Sequence, residues 1–193
     1  QTLHKKYDEV TAILVGDALN TEAFSLISNA SLSSDIKVDL IKTLSSNGGI
    51  DGMIIGQAID CYFENQKLEL NQLEFLHIHK TAKLIAASLK MGAIISEYDL
   101  QTQEKLYNFG IDLGLLFQVQ DDIIDETCST EVAGKTTQND GSKNSFVNLL
   151  GLEGARRSAD ELAFKCIEVL NTFDDNLKES LEELLLKYIN RHK

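Results

Sequence analysis

Hydrophobic side chains recur every three to four residues along most of the chain, which is the period of an α-helix with one buried face. In residues 7–27, for example, Val10, Ile13, Leu14 and Ala18 follow this spacing. The same period predicts six further helices. They cover residues 35–44, 52–63, 71–93, 99–126, 151–170 and 174–190.

Polar and glycine-rich segments separate these predicted helices. Residues 45–49 (Ser-Ser-Asn-Gly-Gly) form one break, and residues 127–142 form a predicted loop. Asn71 and Asp99 each precede a periodic segment and are predicted to cap the helices that follow them. No segment alternates between apolar and polar positions as a strand does. The sequence therefore predicts an all-α fold in which residues 1–193 form a single domain.

Composition agrees with a helical protein and limits its partners. The 193 residues include no proline, which is disfavoured inside helices. The chain has 18 lysine and arginine residues against 30 aspartate and glutamate residues, a net charge of −12, so nucleic acid and anionic lipid would be repelled. No uncharged apolar run approaches the ~20 residues that span a bilayer. Three widely spaced cysteines do not form a disulfide framework, which favours a cytoplasmic location.

The most informative segment is residues 114–125, Gly-Leu-Leu-Phe-Gln-Val-Gln-Asp-Asp-Ile-Ile-Asp. At ~100° per residue, one narrow stripe of this helix is polar or small and almost all of the rest is apolar. The stripe consists of Gly114, Gln118, Asp121, Asp122 and Asp125. Because a helix that is apolar nearly all round is buried, the stripe is expected to face a cavity or a polar neighbour. Gln120 falls on the apolar side and would need an internal partner.

The three aspartates lie within little more than one turn and repel one another. Two like charges 4 Å apart cost about 1 kcal/mol in water and about 4 kcal/mol at an effective dielectric constant of 20. The negative end of the helix dipole adds to this cost. A Mg²⁺ ion, which prefers carboxylate and phosphate oxygens, would offset both penalties. The alternative is a solvated acidic helix end with no ligand.

Two further segments carry groups that suit an anion. In residues 77–81 (His-Ile-His-Lys-Thr), the two histidines point about 200° apart and are poor co-ligands for a metal. Lys80 and Thr81 could bind an anion through an ammonium group and a hydroxyl group. Residues 134–143 place two lysines among glycines and hydroxyl groups and could cover a phosphate. Either segment alone could equally be ordinary surface, but together with the aspartates they suggest a magnesium–diphosphate site.

These segments resemble motifs of the trans-isoprenyl diphosphate synthase family. Residues 117–125 resemble its second aspartate-rich motif, and residues 79–85 resemble its lysine–threonine motif. Residues 134–156 continue the pattern in the same order, and the likeness covers essentially the whole chain. The resemblance implies a helical bundle around a central cavity, and the motif style is most similar to that of the bacterial members that make farnesyl diphosphate. It also implies a cytoplasmic homodimer.

The resemblance further implies a head-to-tail prenyl transfer. Dimethylallyl or geranyl diphosphate ionises with the help of Mg²⁺, and isopentenyl diphosphate attacks the allylic cation to give farnesyl diphosphate. The implied metal ligands are Asp121, Asp122 and Asp125. The implied substrate-binding residues are Lys80, Thr81, Gln118, Lys135 and Lys143. The implied catalytic residues are Asp121, Asp122 and Lys80.

Two departures from the family pattern matter. Lys135 and Lys143 are eight residues apart, a shorter spacing than in many bacterial relatives, which leaves open whether Lys143 reaches the diphosphate. Residues 1–4 resemble the segment that follows the family's first aspartate-rich motif. We therefore expect this chain to be the C-terminal portion of a polyprenyl synthetase domain, without its N-terminal helices, and to be inactive by itself.

Three other functions remain open at this point. A related synthase could make the longer geranylgeranyl diphosphate, because product length in the family is set largely near the first aspartate motif. A non-catalytic regulatory subunit would not need the intact Asp121, Asp122, Asp125, Lys80 and Lys135. A terpene cyclase is disfavoured because such enzymes usually lack the Gln-Val-Gln sequence before the aspartates together with the lysine loop.

Overall fold

Every regular element in the described part of the chain is a helix, as the sequence predicts. The structure is a computed structural model, and it describes residues 1–64, 66–127 and 144–189. The chain divides into two compact units, Gln1–Thr43 and Leu44–Lys193. The all-α fold class is confirmed, whereas the single domain over residues 1–193 stays a prediction.

The first unit contains α1 (Leu3–Lys6), α2 (Glu9–Asn29) and most of α3 (Ser34–Gly48). Asp8 caps α2, since its side chain accepts a hydrogen bond of 2.7 Å from the backbone N–H of Thr11. The cap explains why α2 begins two residues later than the apolar period alone predicts.

The apolar side chains of α2 are largely exposed in this structure. Five of them are between 61% and 66% exposed, namely Val10, Ile13, Leu14, Leu19 and Leu26. By length and composition, α2 is the one helix among the described residues that could cross a membrane, with an unburied 18-residue window of mean hydropathy 1.3. Core helices of soluble proteins and signal sequences share these properties, so the expectation of no membrane partner stays a prediction.

Among the described residues of the second unit, six α-helices follow the end of α3, interrupted by two π-helical turns. The π-helical turns are Ile50–Ile54 and Ile78–Ala82. The helices are α4 (Ile55–Tyr62), α5 (Leu70–His77), α6 (Lys83–Ile95), α7 (Leu100–Thr127), α8 (Phe146–Leu170) and α9 (Asp175–Ile189).

Helix α7 is the centre of the second unit, and it packs mainly against α6 and α8. Its core residues Phe109, Leu113, Leu116 and Val119 are at most 1% exposed. A Cβ atom added at Gly110 would lie only 2.4 Å from the Cα of Ala86 on α6, and one added at Gly114 only 2.5 Å from the Cα of Ala82 in the second π-helical turn. The glycines therefore allow a backbone-to-backbone approach that larger residues would prevent.

Two helix starts differ from the sequence prediction. The capping residue of α5 is Glu69 rather than Asn71, because Glu69 and Gln72 form a reciprocal capping box. Helix α8 begins at Phe146, where Ser145 accepts a hydrogen bond of 3.1 Å from the backbone N–H of Asn148. Gly151 lies inside that helix at φ 71° and ψ 165°, so it makes a kink instead of the predicted start.

Other boundaries follow the sequence more closely. Asp99 caps α7, accepting a hydrogen bond of 3.0 Å from the backbone N–H of Thr102, which confirms the predicted cap. Helix α3 continues to Gly48, so the predicted break at residues 45–49 begins several residues too early. The π-helical turn Ile78–Ala82 divides the predicted helix 71–93 into two.

Candidate active site

The polar stripe of α7 lies on a helix that is otherwise buried. Gln118, Asp121, Asp122 and Asp125 are each half-buried, whereas the neighbouring Val119 and Ile123 are at most 1% exposed. This pattern confirms the predicted stripe. Gln120 is 2% exposed, and its Oε1 has no hydrogen-bond partner among the described residues, so the internal partner that the sequence predicts is not seen for this atom.

Thr81 and Gln118 are joined by a hydrogen bond. The hydroxyl group of Thr81, in the π-helical turn, donates to Oε1 of Gln118 on α7 at 2.6 Å. Because the side-chain amide of Gln118 also carries two donor hydrogens, fixing its oxygen in this bond fixes the direction of those donors. Two residues that the sequence predicts for substrate binding, 37 positions apart, therefore meet in the folded chain.

Lys80 forms an ion pair with a residue that the sequence analysis does not single out. Its Nζ lies 2.5 Å from Oδ2 of Asp60 on α4. Gly56, one turn earlier on the same helix, lets the backbone of Lys80 approach closely, since a Cβ there would lie 2.2 Å from the Lys80 nitrogen. The spacing of Gly52, Gly56 and Asp60 at intervals of four residues is the sequence signal that could have identified Asp60.

Asp122 and Asn144 fix the start of α8. One carboxylate oxygen of Asp122 accepts a hydrogen bond of 2.7 Å from the backbone N–H of Phe146. The side chain of Asn144 donates to the backbone oxygens of Phe63 and Gln66, at 2.9 and 2.8 Å, and accepts from the N–H of Leu68 at 2.9 Å. Neither anchoring role is evident from the sequence, because each bond joins residues far apart along the chain.

His77 is buried beside the Lys80–Asp60 pair. The side chain is 7% exposed, and neither ring nitrogen has a hydrogen-bond partner among residues 1–64, 66–127 and 144–189. Burial lowers the pKa of His77 from its usual 6.5 to about 4, helped by the charge of Lys80 and opposed by that of Asp60. His79 instead stacks on Phe75 and its Nδ1 lies 2.8 Å from the Phe75 carbonyl oxygen.

The metal site predicted at Asp121, Asp122 and Asp125 stays a prediction. Among the described residues, no group of three or more His, Cys, Asp or Glu side chains is arranged to hold a metal ion. The donor chemistry nevertheless suits Mg²⁺, because Asp121, Asp122 and Asp125 offer half-buried carboxylate oxygens within little more than one turn. Lys135 and Lys143 lie outside the described residues.

Comparison with known proteins identifies the family. The sequence profile of the polyprenyl synthetase family matches residues 1–184, and the chain therefore belongs to the polyprenyl synthetase family. The farnesyl diphosphate synthase of Micrococcus luteus is 40% identical over 194 residues, which cover 100% of this chain and 66% of that protein. Geranylgeranyl pyrophosphate synthase 4 of Arabidopsis thaliana is 37% identical over 196 residues, which cover 99% of this chain and 53% of that protein.

A solved structure gives the same result. A Helicobacter pylori geranyltransferase, crystallised with magnesium and isoprenyl diphosphate, matches with a TM-score of 0.88 and 55% sequence identity. The match covers 96% of this chain and 62% of that one. The chain thus spans slightly less than two thirds of the length of these two bacterial relatives.

Proposed function

We propose that this chain supplies the allylic-diphosphate site of a prenyltransferase. The enzyme condenses dimethylallyl diphosphate with isopentenyl diphosphate to give geranyl diphosphate, and geranyl diphosphate with a second isopentenyl diphosphate to give farnesyl diphosphate. The observation that carries the proposal is the hydrogen bond between Thr81 and Gln118, which joins the lysine–threonine segment to the aspartate helix. Family membership and the naming of its bacterial relatives as farnesyl diphosphate synthases support the same reaction.

In the proposed reaction, the C–O bond of the allylic diphosphate breaks and the electron pair leaves with the diphosphate. The double bond of isopentenyl diphosphate then forms the new C–C bond, and a proton is lost to the released diphosphate. Mg²⁺, held by Asp121, Asp122 and Asp125, would supply the positive charge that neutralises the leaving group.

The proposed roles of the other residues follow from their chemistry. Lys80 binds phosphate oxygens through its ammonium group, and Thr81 and Gln118 orient the diphosphate between the π-helical turn and α7. Lys135 and Lys143 are proposed as further diphosphate ligands. The buried apolar residues of α6 and α7 would exclude water from the reacting carbons. We also propose, as the family resemblance implies, a cytoplasmic homodimer.

The test uses the full-length protein with geranyl diphosphate, labelled isopentenyl diphosphate and Mg²⁺. Asp121→Asn is expected to lower turnover by orders of magnitude and to weaken Mg²⁺-dependent diphosphate binding. Glu126→Gln is the matched control, because it removes one charge from an exposed position at the same helix end. Unchanged turnover in Asp121→Asn would remove that residue from the site.

Product length needs a separate measurement. Some relatives are named geranylgeranyl pyrophosphate synthases, so a longer product is the second candidate. Chromatography of the dephosphorylated product is expected to give farnesol. Geranylgeraniol as the main product would replace farnesyl diphosphate by the longer chain and leave the rest of the proposal unchanged.

A further inference from the structure

We infer that Asp60 is a positioning residue that holds the ammonium group of Lys80 in place for the diphosphate. The inference rests on the proposed function, because it assumes that Lys80 binds phosphate oxygens. The observation that carries it is the 2.5 Å ion pair between Lys80 Nζ and Asp60 Oδ2.

The backbone of Lys80 lies against α4 independently of the ion pair. The π-helical turn Ile78–Ala82 presents Lys80 to Gly56, where a Cβ would lie 2.2 Å from the Lys80 nitrogen and 2.7 Å from its Cα. Asp60 lies four residues after Gly56, and so on the same face of α4 one turn further along. The lysine side chain therefore reaches a carboxylate that lies one turn along that face.

The ion pair restricts a side chain that is otherwise flexible. A lysine ammonium sits on a four-carbon stem with many rotamers, and it binds anions as a point charge without the fixed geometry of arginine. The side chains of Lys80 and Asp60 are 33% and 39% exposed, so solvent screens the pair and its contribution to stability is small. The ion pair instead fixes the direction in which the ammonium group of Lys80 points.

The pairing is compatible with diphosphate binding. An ammonium group has three donor hydrogens, so a hydrogen bond to Asp60 leaves two for phosphate oxygens. His77, three residues before Lys80, is buried and adds no positive charge at neutral pH because its pKa is about 4. Among Lys80, Asp60 and His77, Lys80 is therefore the group whose positive charge can attract an anion.

The test measures diphosphate affinity in the full-length protein with inorganic diphosphate and Mg²⁺, by calorimetry. Asp60→Asn keeps the size of the side chain but removes the ion pair, and it is expected to raise the Kd about tenfold through loss of orientation. Glu64→Gln is the matched control, since Glu64 is an exposed acid four residues further on. It is expected to leave the Kd unchanged.

A double-mutant cycle separates positioning from a general structural role. If Asp60 acts through Lys80, Asp60→Asn has no further effect in a Lys80→Ala background. In steady-state assays, the KM for geranyl diphosphate is expected to rise while the KM for isopentenyl diphosphate stays the same. Equal effects of Asp60→Asn with and without Lys80 would overturn the inference.

The possible failures are distinguishable. If Lys80→Ala leaves diphosphate affinity unchanged, the proposed function is wrong about Lys80, and the inference falls with it. If Lys80→Ala weakens binding but Asp60→Asn behaves like Glu64→Gln, the proposed function stands and the inference is wrong. Should Asp60→Asn fail to fold, Asp60→Glu keeps the charge and moves it by one methylene. This variant is expected to raise the Kd, and an unchanged Kd would overturn the inference.

Discussion

The carboxylate of Asp122 accepts a hydrogen bond of 2.7 Å from the backbone N–H of Phe146, the first residue of α8. Phe146 is 1% exposed and its ring stacks on that of His77, with the ring centres 5.6 Å apart. The second aspartate of the acidic cluster therefore has a structural task, which is to fix the start of α8. A metal ion bound by Asp122, as proposed, would therefore share this carboxylate with the N–H of Phe146.

Substitutions at Asp122 separate these two roles. Asp122→Ala leaves the N–H of Phe146 without its acceptor, and we expect a loss of about 1–3 kcal/mol in the free energy of unfolding. Asp122→Asn keeps an oxygen that can accept the bond, so the expected loss is smaller. Urea denaturation of both variants checks this difference.

Diphosphate binding gives the complementary readout. An Asp122→Asn protein that is nearly as stable as the wild type but binds diphosphate poorly with Mg²⁺ would support metal binding by Asp122. If Asp122→Asn were as destabilising as Asp122→Ala, loss of the hydrogen bond to Phe146 would not explain the lower free energy of unfolding.

Local patterns predicted α7 well because its burial follows the helical period. Its apolar positions, its half-buried polar stripe and its Asp99 cap are all consequences of residues close together in the chain. The start of α5 is harder to predict, because two residue pairs have the spacing of a capping box. These pairs are Glu69 with Gln72 and Asn71 with Glu74. In the structure the Glu69–Gln72 pair forms the cap, and spacing alone does not decide between the two pairs.

Contacts between residues far apart in the chain are not predictable from such local patterns. The ion pair of Lys80 with Asp60 spans 20 positions, and the bond of Phe146 with Asp122 spans 24. The spacing of apolar residues also does not reveal the π-helical turn that contains Lys80. One additional residue in a helical turn shifts that spacing only slightly. The four-residue spacing of Gly52 and Gly56 is visible in the sequence, but it does not show which backbone approaches Gly56.

Alanine at Gly56 is expected to destabilise the protein. The new Cβ would lie 2.2 Å from the Lys80 nitrogen, so the backbone of the π-helical turn or of α4 must move. Overpacking of this kind costs about 1–3 kcal/mol, which thermal or urea denaturation measures. Gly92→Ala is the matched control on α6. Among the described residues, no atom beyond the neighbouring backbone of α6 lies within 4 Å of a Cβ added at Gly92, and helix propensity predicts a gain of about 0.5–1 kcal/mol. Equal effects at the two glycines would contradict the close approach.

Substitution of Thr81 is expected to loosen Gln118. Thr81→Val has the same shape but no hydroxyl group, so the 2.6 Å hydrogen bond to Gln118 Oε1 is lost. We expect diphosphate with Mg²⁺ to bind about tenfold more weakly, because a misdirected amide no longer orients the ligand. Thr81→Ser keeps the donor and is expected to bind nearly as well as the wild type. Titration calorimetry compares the three proteins, and wild-type affinity in Thr81→Val would show that the bond is not needed.

The buried His77 should make stability depend on pH. Its pKa is about 4 in the folded protein and 6.5 in the unfolded chain, so between these values the unfolded chain binds more protons. The free energy of unfolding therefore falls as the pH drops below 6.5, and the loss from this group is complete near pH 4. Well above pH 7, His77 is uncharged in both states and contributes no pH dependence.

His77→Leu removes the titrating group from this position and is expected to flatten the dependence. Between about pH 7.5 and about pH 5, the wild type should lose about 2 kcal/mol more in the free energy of unfolding than His77→Leu. Urea denaturation at both pH values measures the difference. His4→Leu is the matched control, because His4 is exposed. If His77→Leu lost as much stability as the wild type on acidification, another buried group would have to take up the protons, and burial of a neutral His77 would not explain the acid sensitivity.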